Sequence, residues 1–197
     1  MNKSVVLFSG GMDSFTLLMA LHLRGREVYA ISFNYGQQHS KELTYAAAAC
    51  EQNDIPHKII DISECGLVLA STLTGGGDSI VVPNRNMIMI SIACGYAISI
   101  GATEVLFGGN ASDHAVFPDC RPSFIEKLNI ALAHGNNEQI TVEVPYARMS
   151  KQDIAEEGKN LGLDYAKTWT CYRGGEAACG ECESCKARKL AFDNIRG

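Results

Sequence analysis

The sequence carries no excess of basic charge: 17 Lys and Arg stand against 22 Asp and Glu, a formal net charge of -5. No general positive field is available to hold a phosphate backbone, which argues against tRNA or DNA as a direct substrate, although a local basic groove remains compatible with that sum. Also missing is an apolar run of the roughly 20 residues needed to span a bilayer. The charge-free stretch between Arg85 and Glu104 comes nearest, but Ser91, Gly95, Ser99 and Gly101 interrupt it. It reads as a buried helix. Met1 to Phe8 offers no secretory apolar region, because its short apolar run stops at Ser9-Gly10-Gly11. The expectation is a cytoplasmic protein without membrane partners, whose reduced thiols cluster for metal or redox chemistry rather than disulfides. Internal repeats and low-complexity tracts are absent too. What is present is an ordinary globular composition, 46% hydrophobic and 20% charged over 197 residues, enough for one domain with a small appendage.

The apolar pattern alternates between two periods. Short buried strands are expected at Ser4–Phe8, Val28–Phe33, Lys58–Ile62 and Glu104–Phe107. Helices are expected at Asp13–Arg24, Ser40–Asn53, Met87–Ile100, Pro122–Ala133 and Lys151–Leu161. This order predicts an α/β fold with a mostly parallel sheet covered on both faces and ligands beyond the carboxyl ends of its strands. Ser71–Asp78, with its run of three glycines, reads as a loop or flap.

Ser9-Gly10-Gly11-Met12-Asp13-Ser14 joins the first strand to the first helix. Paired glycines let backbone N–H groups approach an anion, the helix start adds positive potential, and two hydroxyls add donors. The segment reads as a phosphate or pyrophosphate cradle. It is neither a dinucleotide fingerprint nor a Walker A loop, since G-x-G-x-x-G and the following Lys are both absent. Asp13 is either a helix N-cap or a carboxylate that tolerates the phosphate through an intervening Mg²⁺.

Near the C-terminus, Cys171, Cys179, Cys182 and Cys185 are spaced C-x7-C-x2-C-x2-C among glycines. Four thiolates suit a closed, structural Zn²⁺ site. An iron–sulfur cluster and a redox pair are the rival readings, although the x3-C-P ending of ferredoxin segments is missing. Cys50 and Cys94 fall in apolar helices as inert core residues, and Cys65 says little. Cys120, between Asp119 and Arg121, is a conceivable nucleophile without a neighbouring histidine.

The Ser-Gly-Gly-x-Asp-Ser loop resembles that of the PP-loop ATP pyrophosphatases, whose Rossmann-like fold binds ATP and cuts it between the α- and β-phosphates. The resemblance implies that Phe8, Ser9, Gly10, Gly11, Met12, Asp13, Ser14, Phe15, Thr16, Leu17 and Leu18 bind ATP. Five further segments resemble the 7-cyano-7-deazaguanine synthase family: Phe33–Gln37 with His39 and Glu42, Val82–Asn86, Pro118–Pro122, Thr170–Tyr172 and the cysteine spacing. That family converts 7-carboxy-7-deazaguanine and ammonia to the nitrile in ATP-driven stages. The carboxylate is adenylated, ammonia displaces AMP to give an amide, and adenylation of the amide oxygen then leads to the nitrile. The resemblance implies residues 1–165 as the ATP-binding catalytic domain and 166–197 as a zinc-binding segment packed on it. Catalysis falls to Asp13, Ser14, Arg85 and Lys151, with Arg85 and Lys151 as cations around phosphorus. Asp113, Asp119 and Arg121 are expected to hold the deazaguanine, the carboxylates on its N–H edge and Arg121 on its carboxylate. His39 and His114 read as loop histidines. The implied cofactors are Mg²⁺ and Zn²⁺, the substrates are small molecules, and a homodimer is implied. Two rivals are an enzyme stopping at the amide and a PP-loop enzyme acting on a nucleobase in tRNA.

The chain departs from its relatives at several points. Ser71–Val82 is shorter, Asn84 replaces a usual Gly, Gln38 a basic residue, and Ala115-Val116-Phe117 a Ser-Gly-Tyr. These changes leave the loop and the cysteines alone and bear on the substrate pocket.

Overall fold

The computed structural model describes residues 3–37, 41–64, 71, 73–75 and 81–193. Five strands, β1 (Lys3–Leu7), β2 (Glu27–Asn34), β3 (His57–Asp61), β4 (Glu104–Phe107) and β5 (Thr141–Glu143), form one sheet in the order β3-β2-β1-β4-β5. Every pairing is parallel. The helices are α1 (Met12–Leu23), α2 (Lys41–Gln52), α3 (Arg85–Ser99), α4 (Asp113–Val116), α5 (Pro122–Gly135), α6 (Lys151–Asn160) and α7 (Glu183–Asp193).

Cover on both faces explains why the central strands β1 and β4 are largely apolar, whereas the edge strands β3 and β5 carry charged, exposed residues. Successive residues point to opposite faces, so Val5 and Val105 pack with Met89, Ile90 and Ala93 of α3 and Ile125 and Leu128 of α5. Val6 and Leu106 join Phe15 and Leu18 of α1, Ala46 and Ala49 of α2, and Ile154 of α6 on the other face. The charge-free stretch is therefore a core helix, α3, and no helix among the described residues is long and apolar enough to cross a membrane.

Each predicted strand and helix is present with its ends shifted slightly. The three residues of β5, the single turn of α4 and the whole of α7 escaped the pattern. β5 is too short for alternation to register, and α7 is a mostly exposed helix whose buried residues are Cys185 and Ala191. The strand order turns back on itself at β1, with β2 on one side and β4 on the other. The loops leaving β1 and β4 thus open a crevice at their carboxyl ends.

Candidate active site

One cavity occupies that crevice, lined by Ser9, Gly11 to Ser14, Glu42, Arg85, Asp113, Phe117, Lys151, Trp169 and Tyr172 among others. The loop after β1 is closed on itself. Ser9 and Ser14 hydroxyls lie 3.0 Å apart, the Gly11 N–H donates to Ser9 Oγ at 3.2 Å, and Ser14 Oγ donates to the Gly11 carbonyl at 3.2 Å. The start of α1 leaves the N–H groups of Met12, Asp13 and Ser14 without acceptors inside the helix. Gly10 has φ +86°, and a Cβ there would run into the carbonyl of Glu42. This glycine is needed for the close approach of α2, a demand separate from anion binding. From the other side Gly108 is pressed against the Asp13–Ser14 backbone, its ideal Cβ only 3.0 Å from Ser14 N. Of the expected ATP residues, Phe8 to Ser14 make the loop, whereas Phe15, Leu17 and Leu18 are buried in the α1 core behind it. Thr16 bonds Tyr165 Oη at 2.7 Å instead of facing the cavity.

Asp13 does not cap its helix, because Gly11 holds the N-cap position. Its Oδ2 accepts from Lys151 Nζ at 2.7 Å and from Asn110 Nδ2 at 3.0 Å, and its Oδ1 is buried with no partner among the described residues. An orphaned carboxylate oxygen beside a phosphate-type loop fits a hard cation such as Mg²⁺. Burial draws the Lys151 ammonium down, but the Asp13 carboxylate outweighs it and holds the pKa above the ordinary lysine value. Lys151 is therefore a permanent cation at neutral pH. The start of α6 around it is closed by a capping box between Ser150 and Asp153, so that helix end is less open to an anion than its sequence implies. Asp113 lines the cavity, accepts from the Asn110 N–H at 3.0 Å, and is raised by burial.

Arg85 begins α3, with its guanidinium 5.4 Å from the Tyr35 ring centroid and 6.0 Å from that of Phe117. Asn84 before it has φ +55°, a left-handed conformation that glycine adopts freely and Asn tolerates. Asp119 stands beside the cavity. Its two oxygens accept from Asn86 N at 3.0 Å and Asn86 Nδ2 at 3.2 Å, clamping the start of α3. Arg121 is exposed and donates from Nε to the His114 carbonyl at 2.9 Å. Asp113 alone of the expected deazaguanine trio lines the cavity. Cys120 is buried and its thiol is pushed up to about 12, chiefly by burial, which does not suit a nucleophile. His39, Gln38, Cys65 and most of the Ser71–Asp78 loop lie outside the described residues; Leu73, within that loop, lines the cavity.

The four C-terminal cysteines come together, their sulfurs all within 4.8 Å of one another. Tetrahedral thiolates about 2.3 Å from a common ion sit at comparable mutual distances, so the set fits a closed metal site. Backbone N–H groups of Cys182 and Glu181 point at Cys179 Sγ, each at 3.4 Å, and lower that thiol. The segment is tied to the loop after β1: Trp169 N donates to the Gly10 carbonyl at 3.0 Å, and Trp169 Nε1 to the Cys171 carbonyl at 3.0 Å. Lys41 Nζ, 4.3 Å from the Trp169 ring centroid, donates to the carbonyls of Gly175 and Glu176 at 2.9 and 2.6 Å. Arg188 on α7 bonds Thr168, Thr170 and the Tyr165 carbonyl from behind.

Sequence reasoning gave no role to Glu42, Tyr35, Asn110 or Trp169. The first two lie in a motif noted only as a likeness. Asn110 follows the Gly108-Gly109 pair that closes β4, which marked the crevice but not the residue that reaches Asp13.

Residues 3–196 match the family model described as queuosine biosynthesis protein QueC. The chain is 50% identical to the 7-cyano-7-deazaguanine synthase of Pseudoalteromonas atlantica, across 97% of this chain and 94% of that one. Among solved structures, NMN synthetase from Francisella tularensis superposes with a TM-score of 0.59 at 14% identity, covering 99% of this chain and 77% of that one. The U34-tRNA thiolase NcsA from Methanococcus maripaludis, solved with its [4Fe-4S] cluster, gives a TM-score of 0.57 at 16% identity. The coverage there is 99% of this chain and 65% of that one. At such identities these two structures speak for the fold alone.

Proposed function

The chain belongs to the family of queuosine biosynthesis protein QueC, and on that premise we propose that it makes 7-cyano-7-deazaguanine from 7-carboxy-7-deazaguanine and ammonia by ATP-driven adenylation. The observation that carries this reading is the joining, in one cavity, of the loop at residues 9–14 with the Asp13–Lys151 pair. The N–H groups at the start of α1 receive the pyrophosphate that leaves as a substrate oxygen attacks the α-phosphorus. Lys151 supplies a fixed positive charge beside those phosphates, and Arg85 a second one at the other wall. Both work by positioning and charge stabilisation. Mg²⁺ on the free Asp13 oxygen would neutralise phosphate charge. Ammonia then displaces AMP to give the amide, and the same residues serve the second adenylation.

The unit at 1–165 holds ATP, and the segment 166–197 is a metal-stapled wall packed on it. Cys171, Cys179, Cys182 and Cys185 hold zinc; with all four positions taken by thiolates, the ion adds folding energy and no open coordination site. Elemental analysis should find zinc at one ion per chain, and iron with visible absorbance would replace that assignment. The substrates are small molecules and no nucleic acid is needed.

The test is incubation of purified protein with 7-carboxy-7-deazaguanine, ammonium, Mg²⁺ and ATP, followed by mass spectrometry. Nitrile with about two AMP per product is the expected result. Amide with one AMP would replace it with a shortened reaction, and no ATP cleavage would overturn it.

A further inference from the structure

The reaction as described leaves two cavity-lining carboxyls without a stated role, Asp113 and Glu42, and Glu42 is the less well paired of the two. Glu42 stands in the first turn of α2 and faces the cavity beside Arg85 and Tyr35. Among the described residues its hydrogen bonding is confined to Oε1, which accepts a long 3.5 Å bond from Gln37 Nε2. Gln37 is buried and fixed in turn: its Oε1 accepts from Tyr35 N at 2.8 Å, and its Nε2 donates to the Phe33 carbonyl at 3.3 Å. The other carboxylates near the site each already accept a hydrogen bond of 3.0 Å or shorter. Asp13 is paired with Lys151, Asp113 accepts from Asn110, and Asp119 holds Asn86 with both oxygens. Burial pushes the Glu42 carboxyl up to about 7, with Arg85 and Gln37 pulling only part of the way back. The groups facing it are Arg85 from α3 and Tyr35 from the loop after β2; Tyr172, next along, faces Tyr35 and Arg85.

A carboxyl enclosed at such cost, with an oxygen still to satisfy, asks for N–H donors from a ligand. The rings of Tyr35 and Phe117, with centroids 5.4 and 6.0 Å from the Arg85 guanidinium, suit a planar ligand at this wall. A guanine-type edge presents a ring N–H next to an exocyclic amino group, two parallel donors that match the two oxygens of one carboxylate. We propose that Glu42, and not Asp119, is the specificity residue for the deazaguanine, accepting its ring N–H and its 2-amino N–H while the 7-carboxylate points toward the loop at residues 9–14. The inference rests on the functional reading above. It assigns the pyrimidine-ring edge to the wall formed by Glu42, Arg85 and Tyr35 and the reacting carboxylate to the phosphate loop.

The test compares 7-carboxy-7-deazaguanine with its 2-desamino analogue, as kcat/KM, in the wild-type enzyme, Glu42→Gln and Glu42→Ala. The wild type should prefer the amino compound by about 10- to 100-fold, as expected for a charged acceptor left without its donor. In Glu42→Gln and Glu42→Ala that preference should shrink to about threefold or less, with KM for ATP unchanged. Because the preference is a ratio within one protein, a partly unfolded preparation does not alter it. A preference kept in both variants, or lacking in the wild type, overturns the role of Glu42 while leaving the synthase reading intact. Failure of the wild type to turn over either compound removes the synthase reading and this inference together.

Discussion

The phosphate loop and the wall around Glu42 line one cavity but are built on different principles. At the phosphate loop the donors come from one contiguous segment, residues 9–14, and one oxygen of the central carboxylate is already paired with a cation: Asp13 Oδ2 bonds Lys151 and Asn110, and Asn110 N bonds Asp113. At the other wall Tyr35 and Glu42, Arg85, and Phe117 come from three separate places in the chain, and among the described residues the Glu42 carboxyl has one long hydrogen bond. A triphosphate is the same in every enzyme that uses it, so a preformed cradle serves and a short motif suffices to encode it. A particular heterocycle must complete the site itself, and an underpaired carboxyl is how the protein makes that completion selective.

The sharpest way to break this contrast is at Asp13. Asp13→Ala removes the partner of Lys151 and the orphan oxygen together, and should lower AMP formation by about 10³-fold or more, as loss of a preorganised charge does. Circular dichroism and metal content should be those of the wild type. If Asp13→Ala costs less activity than Glu42→Gln, the phosphate loop is not the centre of catalysis.

Metal removal probes what joins the phosphate loop to the cysteine segment, because Trp169 is bonded to Gly10 on one side and to Cys171 on the other. It is the single tryptophan of the chain and is 6% exposed. Stripping the metal with a chelator, or Cys185→Ser, should shift its emission to the red and reduce activity by about tenfold or more, since a structural thiolate site contributes folding energy. Unshifted emission in metal-free protein would separate the cysteine segment from the ATP loop.

Legibility in the sequence follows the same division. The parallel sheet was readable because its central strands are buried on both faces and carry apolar runs such as Val5-Val6-Leu7. The loop at 9–14 and the four cysteines were readable because their spacing along the chain is the geometry itself. The family likeness implies a ligand-binding Asp119, and in the fold both its oxygens accept from Asn86 at the start of α3, a tertiary pairing across 33 positions that no local pattern encodes. Glu42 is hidden in the sequence for a related reason. An acidic residue at a helix start is ordinary, and only the enclosure by α3 and the loop after β2 makes it costly.

That cost yields a prediction of its own. The folded protein holds the Glu42 proton up to about pH 7, whereas the unfolded chain releases it at the ordinary carboxylate value. Stability is therefore lost as pH rises between those values and stays lower above pH 7. Glu42→Gln cannot ionise, so it should be more stable than the wild type at pH 8 by up to about 3 kcal/mol, with no gain at pH 4. Denaturant melts at the two pH values check it. A stabilised but less selective enzyme is the signature of a carboxyl retained for function.

The smallest effect belongs to Asn84, where the comparison can be sharpened. At φ +55° a side chain is strained, and Asn is among the few residues that tolerate it. Asn84→Gly should leave stability within about 0.5 kcal/mol, relief of strain offsetting the extra freedom of the unfolded chain. Asn84→Val should cost about 1–2 kcal/mol. It should also disturb Arg85 and Asn86, which follow directly, and so weaken substrate binding while leaving KM for ATP as it was. An equal rise in both KM values would show that the start of α3 serves the whole cavity and not one wall of it.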